Sequence, residues 1–109
     1  MANFEARTSA GRGRIVVALA GECDLSARDH LTAVLLDALT RTNAVFVDLT
    51  ELTFLDSSGV HSLITAHHAA KNSGGRVYVM NATGPVAAVL ELTGLDALLR
   101  APAEERRHA

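Results

Sequence analysis

The sequence predicts an α/β fold with one mixed, mostly parallel β-sheet that starts with an antiparallel hairpin and is packed by about four helices. Strand-like and helix-like segments alternate from Ile15 to Leu92, which is typical of parallel strands joined by right-handed crossovers. Turn residues between two short strand-like segments near the N-terminus predict the hairpin. The 109 residues, 49% of them hydrophobic, suit a single core. We therefore expect one domain over residues 1–109, with its core at about 4–100 and a polar tail at 101–109.

The first elements are two strands around a turn. Phe4 to Arg7 is the first predicted strand, Ser9 to Gly13 supplies the turn residues, and Ile15 to Ala20 is the returning strand. Apolar residues occupy both alternating faces of the second strand, so it should lie inside the sheet, covered on both sides. The chain is expected to leave this strand at Gly21.

The first helix is predicted to begin at Ser26. Asp29 follows Ser26 by three residues, a spacing similar to the capping box, in which two side chains satisfy unpaired N–H groups at a helix start. Apolar residues then recur at helical spacing and form a stripe that should pack on the sheet: Leu31, Val34, Leu35, Ala38 and Leu39.

The central part of the chain predicts a strand followed by a helix. The strand, Val45 to Leu49, is rich in β-branched and aromatic residues and should be covered on both faces. The following helix is predicted to bury a stripe of residues, namely Val60, Leu63, Ile64, His67 and Lys71. Between them, Asp56, Ser57 and Ser58 are all residue types that cap helices. The hydroxyl of Ser58 is thus expected at the positive end of a helix dipole, which favours a phosphate.

The second half of the chain continues the alternation. Asn72 to Gly75 ends the second helix with a glycine suited to a left-handed cap, and Arg76 to Met80 is the next strand. Gly84 and Pro85 open a third helix, whose buried face is predicted to contain Val86, Val89 and Leu90. Gly94 should end that helix, with Leu95 packing behind it. The tail after Pro102 is polar and is expected to be short or frayed.

Four segments, in order, resemble the STAS domain family. They are Gly21-Glu22-Cys23-Asp24, the run Leu-Thr-Phe-Leu-Asp-Ser-Ser-Gly-Val at 52–60, Ser73-Gly74-Gly75 with Val77-Tyr78-Val79, and Leu90-Glu91-Leu92-Thr93-Gly94-Leu95. By residue type alone, Ser58 is also consistent with an ordinary helix cap. Within the resemblance, Ser58 occupies the position of the serine that a partner kinase phosphorylates.

The resemblance implies a stand-alone anti-sigma factor antagonist. Such a protein binds an anti-sigma factor with serine kinase activity, releases a sigma factor, is switched off by phosphorylation at Ser58 and is reset by a phosphatase. A monomer that forms heteromeric complexes is expected. The residues implied in partner binding are Glu22, Asp24, Asp56, Ser57, Ser58, Gly59, Val60 and His61. Val60 and His61 depart from the family pattern, which usually has leucine and a small residue there.

Two other functions stay open. One is a STAS adaptor subunit of a lipid or anion transport complex, in which the same helix face docks on a transport component and the serine is never modified. The other is an antagonist paralogue within a larger stress-signalling complex. Phosphorylation of Ser58 distinguishes the switch from the adaptor.

Composition argues against several other classes. The formal net charge of −2 implies no general attraction to nucleic acid or to an anionic membrane. Cys23 is the single cysteine, so no internal disulfide and no CxxC metal motif are expected. The N-terminus has no apolar signal core, and no apolar run approaches the roughly 18–20 residues of a membrane span. We expect a cytoplasmic protein without cofactor or metal.

An enzymatic function is not expected. Asp56, Ser58 and His61 suggest a hydrolytic triad by residue type, but Asp56 precedes the helix and is not placed to orient the imidazole, and no G-x-S-x-G elbow is present. His67 and His68 are adjacent on a helix and therefore do not converge on one metal ion. Gly11-Arg12-Gly13 lacks the lysine and hydroxyl residues that close a phosphate-binding loop.

Overall fold

The computed structural model describes residues 3–102. The strands are β1 (Phe4–Gly11), β2 (Arg14–Cys23), β3 (Ala44–Leu55) and β4 (Arg76–Met80). The helices are α1 (Arg28–Leu39), α2 (Ser57–Asn72), α3 (Gly84–Thr93) and α4 (Leu95–Leu98), and a 3-10 turn, Leu25–Ala27, precedes α1. The predicted alternation and the four helices are confirmed.

The sheet has the order β1-β2-β3-β4. β1 is antiparallel to β2, whereas β2, β3 and β4 are mutually parallel. The predicted mixed sheet with an N-terminal hairpin is therefore confirmed. Because the three parallel strands point the same way, β2 and β3 end at one edge of the sheet, called here the carboxyl edge, and all three begin at the opposite, amino edge.

The helices cover only one face of this sheet. Ile15, Val17 and Leu19 of β2 are buried in the main core with the helices, while the alternate residues of that strand are only half-buried. The prediction that β2 is covered on both faces is wrong, whereas β3 is buried on both faces around Phe46, which is 2% exposed on the side without helices. On the open face, side chains of the strands themselves take the place of a helix: the Arg14 guanidinium lies 4.7 Å from the Phe46 ring centroid, and Phe46 packs on Tyr78.

Several predicted boundaries shift because the strands are longer. The residues from Ser9 to Gly11 pair within β1, so the turn is confined to Arg12 and Gly13. β2 continues past Gly21 to Cys23, and β3 continues past Leu49 to Leu55. Register shifts between β2 and β3 let the added residues keep pairing, which strand periodicity alone does not reveal.

The buried face of α2 differs from the predicted stripe. Ile64 is 36% exposed and Lys71 is exposed, while His67 is half-buried. The residues that the helix buries are Gly59, Val60, Ser62, Leu63, Ala66 and Ala70. Most of them are small, and small side chains allow α2 to approach its neighbours closely. Because the prediction relied on bulky apolar residues, the predicted face of α2 is rotated relative to the face that is buried.

The C-terminal elements follow the prediction. Gly94 has the left-handed φ of 78° at the end of α3, and Leu95 behind it is buried. After α4 the backbone runs beside β4, where the Val79 N–H donates to the Leu99 carbonyl at 2.9 Å. Ala101, which was expected to belong to the polar tail, is 3% exposed and joins the core. The rest of the predicted tail, 103–109, lies outside the described residues.

Candidate functional site

The candidate site lies at the carboxyl edge of the sheet, where β2 and β3 end together. Glu22 pairs with Phe54, and Cys23 pairs with Leu55. The backbone N–H of Asp56 then donates to the Cys23 carbonyl at 3.3 Å. Sequence positions more than thirty residues apart, the Glu22–Asp24 loop and the start of α2, are therefore held side by side.

Ser58 lies in the first turn of α2, and Asp56 is the residue that caps this helix. The Asp56 carboxylate accepts a hydrogen bond from the Ser58 backbone N–H at 2.9 Å. Ser57 is exposed and Ser58 is half-buried. Within residues 3–102, no hydrogen bond involves the Ser58 hydroxyl, although its own backbone N–H is satisfied. A half-exposed hydroxyl at the positive end of a sixteen-residue helix can accept an anionic group favourably.

Gly59 and Val60 follow Ser58 in α2, and both are buried. A Cβ atom at Gly59 would lie 2.8 Å from Cys23 Sγ and closer still to Leu55 Cδ1, so only glycine lets α2 sit this close to the strand ends. Val60 is 9% exposed and belongs to the core. Its expected role as an apolar docking residue therefore needs correction, since little of its side chain reaches the surface.

Asp24 organises the loop beside Ser58. Its carboxylate accepts hydrogen bonds from the Ser26 backbone N–H at 3.0 Å and from the Ser26 hydroxyl at 2.6 Å. These bonds, the side-chain one foremost, lower the pKa of Asp24, which stays charged. The predicted helix start at Ser26 is wrong: Asp24 caps a 3-10 turn, and α1 begins at Arg28 without a side-chain cap.

Cys23 lies buried under the site. Burial, and to a smaller extent the charges of Asp56 and Asp24, raises the pKa of its thiol to about 11. The group is therefore a neutral packing residue at physiological pH, and its sulfur occupies space next to Gly59 that a larger residue at that position would need.

Ser62 makes a buried contact between α1 and α2 that the sequence did not lead us to predict. Its hydroxyl donates to the Arg28 carbonyl at 3.0 Å and lies 2.8 Å from the Thr32 hydroxyl, which must then be the donor of that second bond. Ser62 is fully buried. The two bonds join the first two turns of α1 to the second turn of α2, and with them the two halves of the site. A polar residue on a buried helix face was the available signal.

Two exposed apolar side chains flank the site and were also not predicted. Leu25, in the 3-10 turn, is 64% exposed, and Phe54, next to Glu22 on β3, is 44% exposed. These two side chains add apolar area to the polar surface around the site, although Leu92 and Leu98 elsewhere in the domain are also exposed. The sequence prediction ended β3 at Leu49, so it did not place Phe54 beside Glu22.

His61 stands apart from Ser58 and Asp56 in hydrogen bonding. His61 is exposed, and in the described part of the chain no hydrogen bond joins it to Ser58 or Asp56. Among these same residues, no group of three or more His, Cys, Asp or Glu side chains is placed to hold a metal ion. None of the helices from residue 3 to residue 102 combines the length and the apolar character required to cross a bilayer.

Comparison with known proteins gives a consistent result. The family model described as "Mlab, STAS domain" matches residues 6–100. The anti-sigma F factor antagonist of Paenibacillus polymyxa is 27% identical over 95 residues, which is 85% of this chain and 81% of that protein. The solved anti-sigma factor antagonist SpoIIAA in its unphosphorylated form is 25% identical with a TM-score of 0.76, covering 94% of this chain and 91% of that one. The phosphorylated form of the Bacillus cell fate determinant SpoIIAA, 23% identical, has a TM-score of 0.68 and covers 94% and 95% of the two chains.

Proposed function

Because this chain belongs to the STAS domain family, we propose that it is an anti-sigma factor antagonist, a binding switch that is turned off by phosphorylation of Ser58. The observation that carries the proposal is the Ser58 hydroxyl itself. It is half-exposed in the first turn of α2, beside the Asp24 loop, in a chain whose relatives include proteins named as anti-sigma factor antagonists. The fold and the names of the relatives support the same class.

The partner is an anti-sigma factor with serine kinase activity, and it docks on the carboxyl edge. The surface offered there combines the exposed apolar side chains of Leu25 and Phe54 with the carboxylates of Glu22, Asp24 and Asp56. Apolar anchors supply contact area, and the charges around them select a complementary partner. Docking places Ser58 against the kinase, which brings its own ATP and magnesium.

Phosphorylation switches the surface by charge. The γ-phosphoryl group of ATP is transferred to Ser58 Oγ, ADP leaves, and the hydroxyl proton passes to a base of the kinase or to solvent. The phosphate adds a charge of about −1.5 to −2 at neutral pH. The helix N-terminus favours this group by roughly 0.3–1 kcal/mol, so α2 does not need to unfold. The neighbouring carboxylates already make the surface acidic, and the added charge and bulk lower the affinity for the partner. A phosphatase restores the binding form.

The test compares variants at Ser58 with matched variants at Ser57. Epitope-tagged Ser58→Ala and Ser58→Asp proteins are expressed in the native cell, and the copurifying proteins are quantified, together with the intact mass of the wild type before and after phosphatase treatment. We expect one phosphate mapped to Ser58, retention of the kinase by Ser58→Ala and its loss by Ser58→Asp. Ser57→Ala and Ser57→Asp, one residue away on the exposed side, should change retention less. Equal retention by both Ser58 variants would refute the switch.

A second candidate is a non-phosphorylated adaptor subunit of a lipid or anion transport complex. It is retained because the matching family model carries the description "Mlab", which differs from the antagonist names of the relatives. The same purification distinguishes the two functions. An adaptor copurifies with an ATPase and a permease, and its Ser58 is unmodified under every growth condition.

A further inference from the structure

The two outer strands of the sheet differ in how their free sides are covered. The outer side of β4 is covered by the chain that follows α4: the Val79 N–H donates to the Leu99 carbonyl at 2.9 Å, and Val79 forms a bridge with Arg100. In residues 3–102, by contrast, nothing pairs with the outer side of β1. A strand with a row of unpaired backbone groups is a template for a further strand.

β1 also lacks several features that usually protect such a strand. It is eight residues long and pairs with β2 without a bulge, and its sequence, FEARTSAG, contains no proline and no lysine. Its residues from Arg7 to Gly11 are exposed. A long, regular and accessible outer strand favours the addition of another strand.

The hydrogen bonds to β2 determine which backbone groups of β1 point outward. The Glu22 N–H donates to the Asn3 carbonyl at 2.7 Å, and the pairing continues in register along the whole of β1. Because hydrogen-bonded pairs alternate along an antiparallel ladder, the odd-numbered residues of β1 bond to β2. The N–H and C=O groups of Phe4, Ala6 and Thr8 therefore face outward.

Glu5 and Arg7 place one negative and one positive charge along this strand. They lie opposite Ala20 and Ala18, on the face of the sheet without helices, and 3.6 Å separates Arg7 Nη2 from Glu5 Oε1. Both side chains are largely exposed. Each can therefore meet an opposite charge from a neighbouring strand without leaving the other.

We propose that β1 is an interface for a second copy of this chain, whose β1 adds antiparallel to it around a two-fold axis at Ala6. In this register, Phe4 exchanges backbone hydrogen bonds with Thr8 of the second copy, and the two Ala6 residues bond to each other, so only outward-facing groups are used. Glu5 of each copy then lies directly opposite Arg7 of the other, at a pair where side chains approach closely. The product is one continuous sheet with four strands from each copy.

The charges select this register over its neighbours. A shift of the pairing by two residues in one direction places Arg7 opposite Arg7, and a shift in the other direction places Glu5 opposite Glu5. Like charges directly opposite each other are destabilising. A shift by one residue would set outward-facing groups against inward-facing ones. The favoured arrangement is symmetric and closed, which gives a dimer and not a fibre.

The helices leave room for this pairing. α1 contacts β1, β2 and β3 and therefore lies over the middle of these three strands. In the dimer the two copies of β2 are three strand spacings or about 14 Å apart, which exceeds the separation of about 8–10 Å between packed helices. The carboxyl edges of the two copies, and with them the two Ser58 residues, point in opposite directions. Pairing requires neither Ser58 nor its modification.

The experiment is sedimentation equilibrium of the full chain over roughly 10 μM to 1 mM protein, a range suited to a small interface. The family resemblance implied a monomer, whereas we now expect a monomer–dimer equilibrium. Arg7→Glu sets like charges opposite each other twice in each dimer and should weaken dimerisation about 10-fold. The exchanged variant Glu5→Arg/Arg7→Glu has the composition of the wild type and restores both cross-strand pairs, so it should recover the wild-type dissociation constant.

Arg12→Glu is the matched control, because it makes the same change of charge on the turn, outside the paired residues, and should leave dimerisation unchanged. Thr8→Pro removes an outward N–H group and none of the bonds between β1 and β2, so it should abolish the dimer. Melting curves establish that each variant is folded. The proposal is overturned by a chain that stays monomeric throughout the range, by a dimer that tolerates Thr8→Pro, or by an exchanged variant that dimerises no better than Arg7→Glu.

Discussion

The Asp56 carboxylate accepts a hydrogen bond from the backbone N–H of Ser58 at 2.9 Å, so the residue that caps α2 also fixes the residue that we propose to be phosphorylated. The capping residue Asp56 and the proposed phosphorylation site Ser58 are two positions apart and are joined by this one hydrogen bond. Stability of the helix start and orientation of the Ser58 hydroxyl are therefore linked.

Replacement of this cap should lower stability. Asp56→Ala removes the acceptor and leaves an N–H group of the first turn unpaired, which is expected to lower the free energy of unfolding by about 1 kcal/mol. Asp56→Asn keeps a side-chain oxygen and should recover most of the loss. Urea denaturation at neutral pH measures both. Equal losses in the two variants would show that the carboxylate charge, not the capping bond, stabilises the helix start.

Gly59 should tolerate no side chain. The Cβ of Gly59→Ala would lie 2.8 Å from Cys23 Sγ and nearer to Leu55 Cδ1, and overpacking of this kind costs roughly 1–3 kcal/mol. Gly11→Ala is the control, because nothing lies within 4 Å of a Cβ at that exposed position. Because the nearest obstruction is the end of a leucine side chain, Gly59→Ala should be less costly in a Leu55→Val background. Denaturation of the wild type, the two single variants Gly59→Ala and Leu55→Val and their double variant tests this coupling, and strict additivity would contradict it.

The sequence predicted the order of elements well because each signal was local. The alternation of strands and helices, the Gly94 cap and the proline at the start of α3 all depend on neighbouring residues, and each is found where it was predicted. The position of Ser58 in the first turn of a helix was predicted for the same reason. What local patterns do not contain is the register between distant strands, which brings Cys23 beside Leu55 and Phe54 beside Glu22.

The errors have a common physical origin in tertiary packing. The true buried face of α2 is formed largely by small residues, so a stripe built on bulky apolar residues and helical spacing included Ile64 and Lys71, which are exposed. Serine is a residue type that often caps helices, yet the Ser26 hydroxyl donates to the Asp24 carboxylate. The open face of the sheet was also unpredictable from β2 alone, because alanine is compatible with either burial or partial exposure.

Removal of the Ser62 hydroxyl should loosen the contact between α1 and α2. Ser62→Ala removes the bonds to the Arg28 carbonyl and the Thr32 hydroxyl, with an expected loss of about 1–2 kcal/mol in the free energy of unfolding. Thr32→Val removes only one of them and should cost less. The two changes should be non-additive in a double-mutant cycle. Hydrogen exchange should accelerate first at the start of α1, whereas Ser57→Ala on the exposed side of α2 should leave exchange unchanged.

The Cys23 thiol should make stability fall at alkaline pH. In the unfolded chain the thiol titrates near its ordinary pKa of 9.0, whereas burial and the nearby carboxylates hold the folded pKa at about 11. Between these two values the unfolded chain has released the proton and the folded chain has not, so rising pH favours unfolding. The stability that the protonated, buried thiol contributes is fully present below pH 9 and is lost by about pH 11, and it amounts to at most about 3 kcal/mol.

The difference in unfolding free energy between wild type and Cys23→Ala, measured across this interval, isolates the thiol from the other groups that titrate there. A difference that stays constant with pH would contradict the raised pKa. In the same experiment, a thiol reagent at pH 8 should modify the native protein much more slowly than the urea-unfolded chain, because the folded thiol is both buried and protonated.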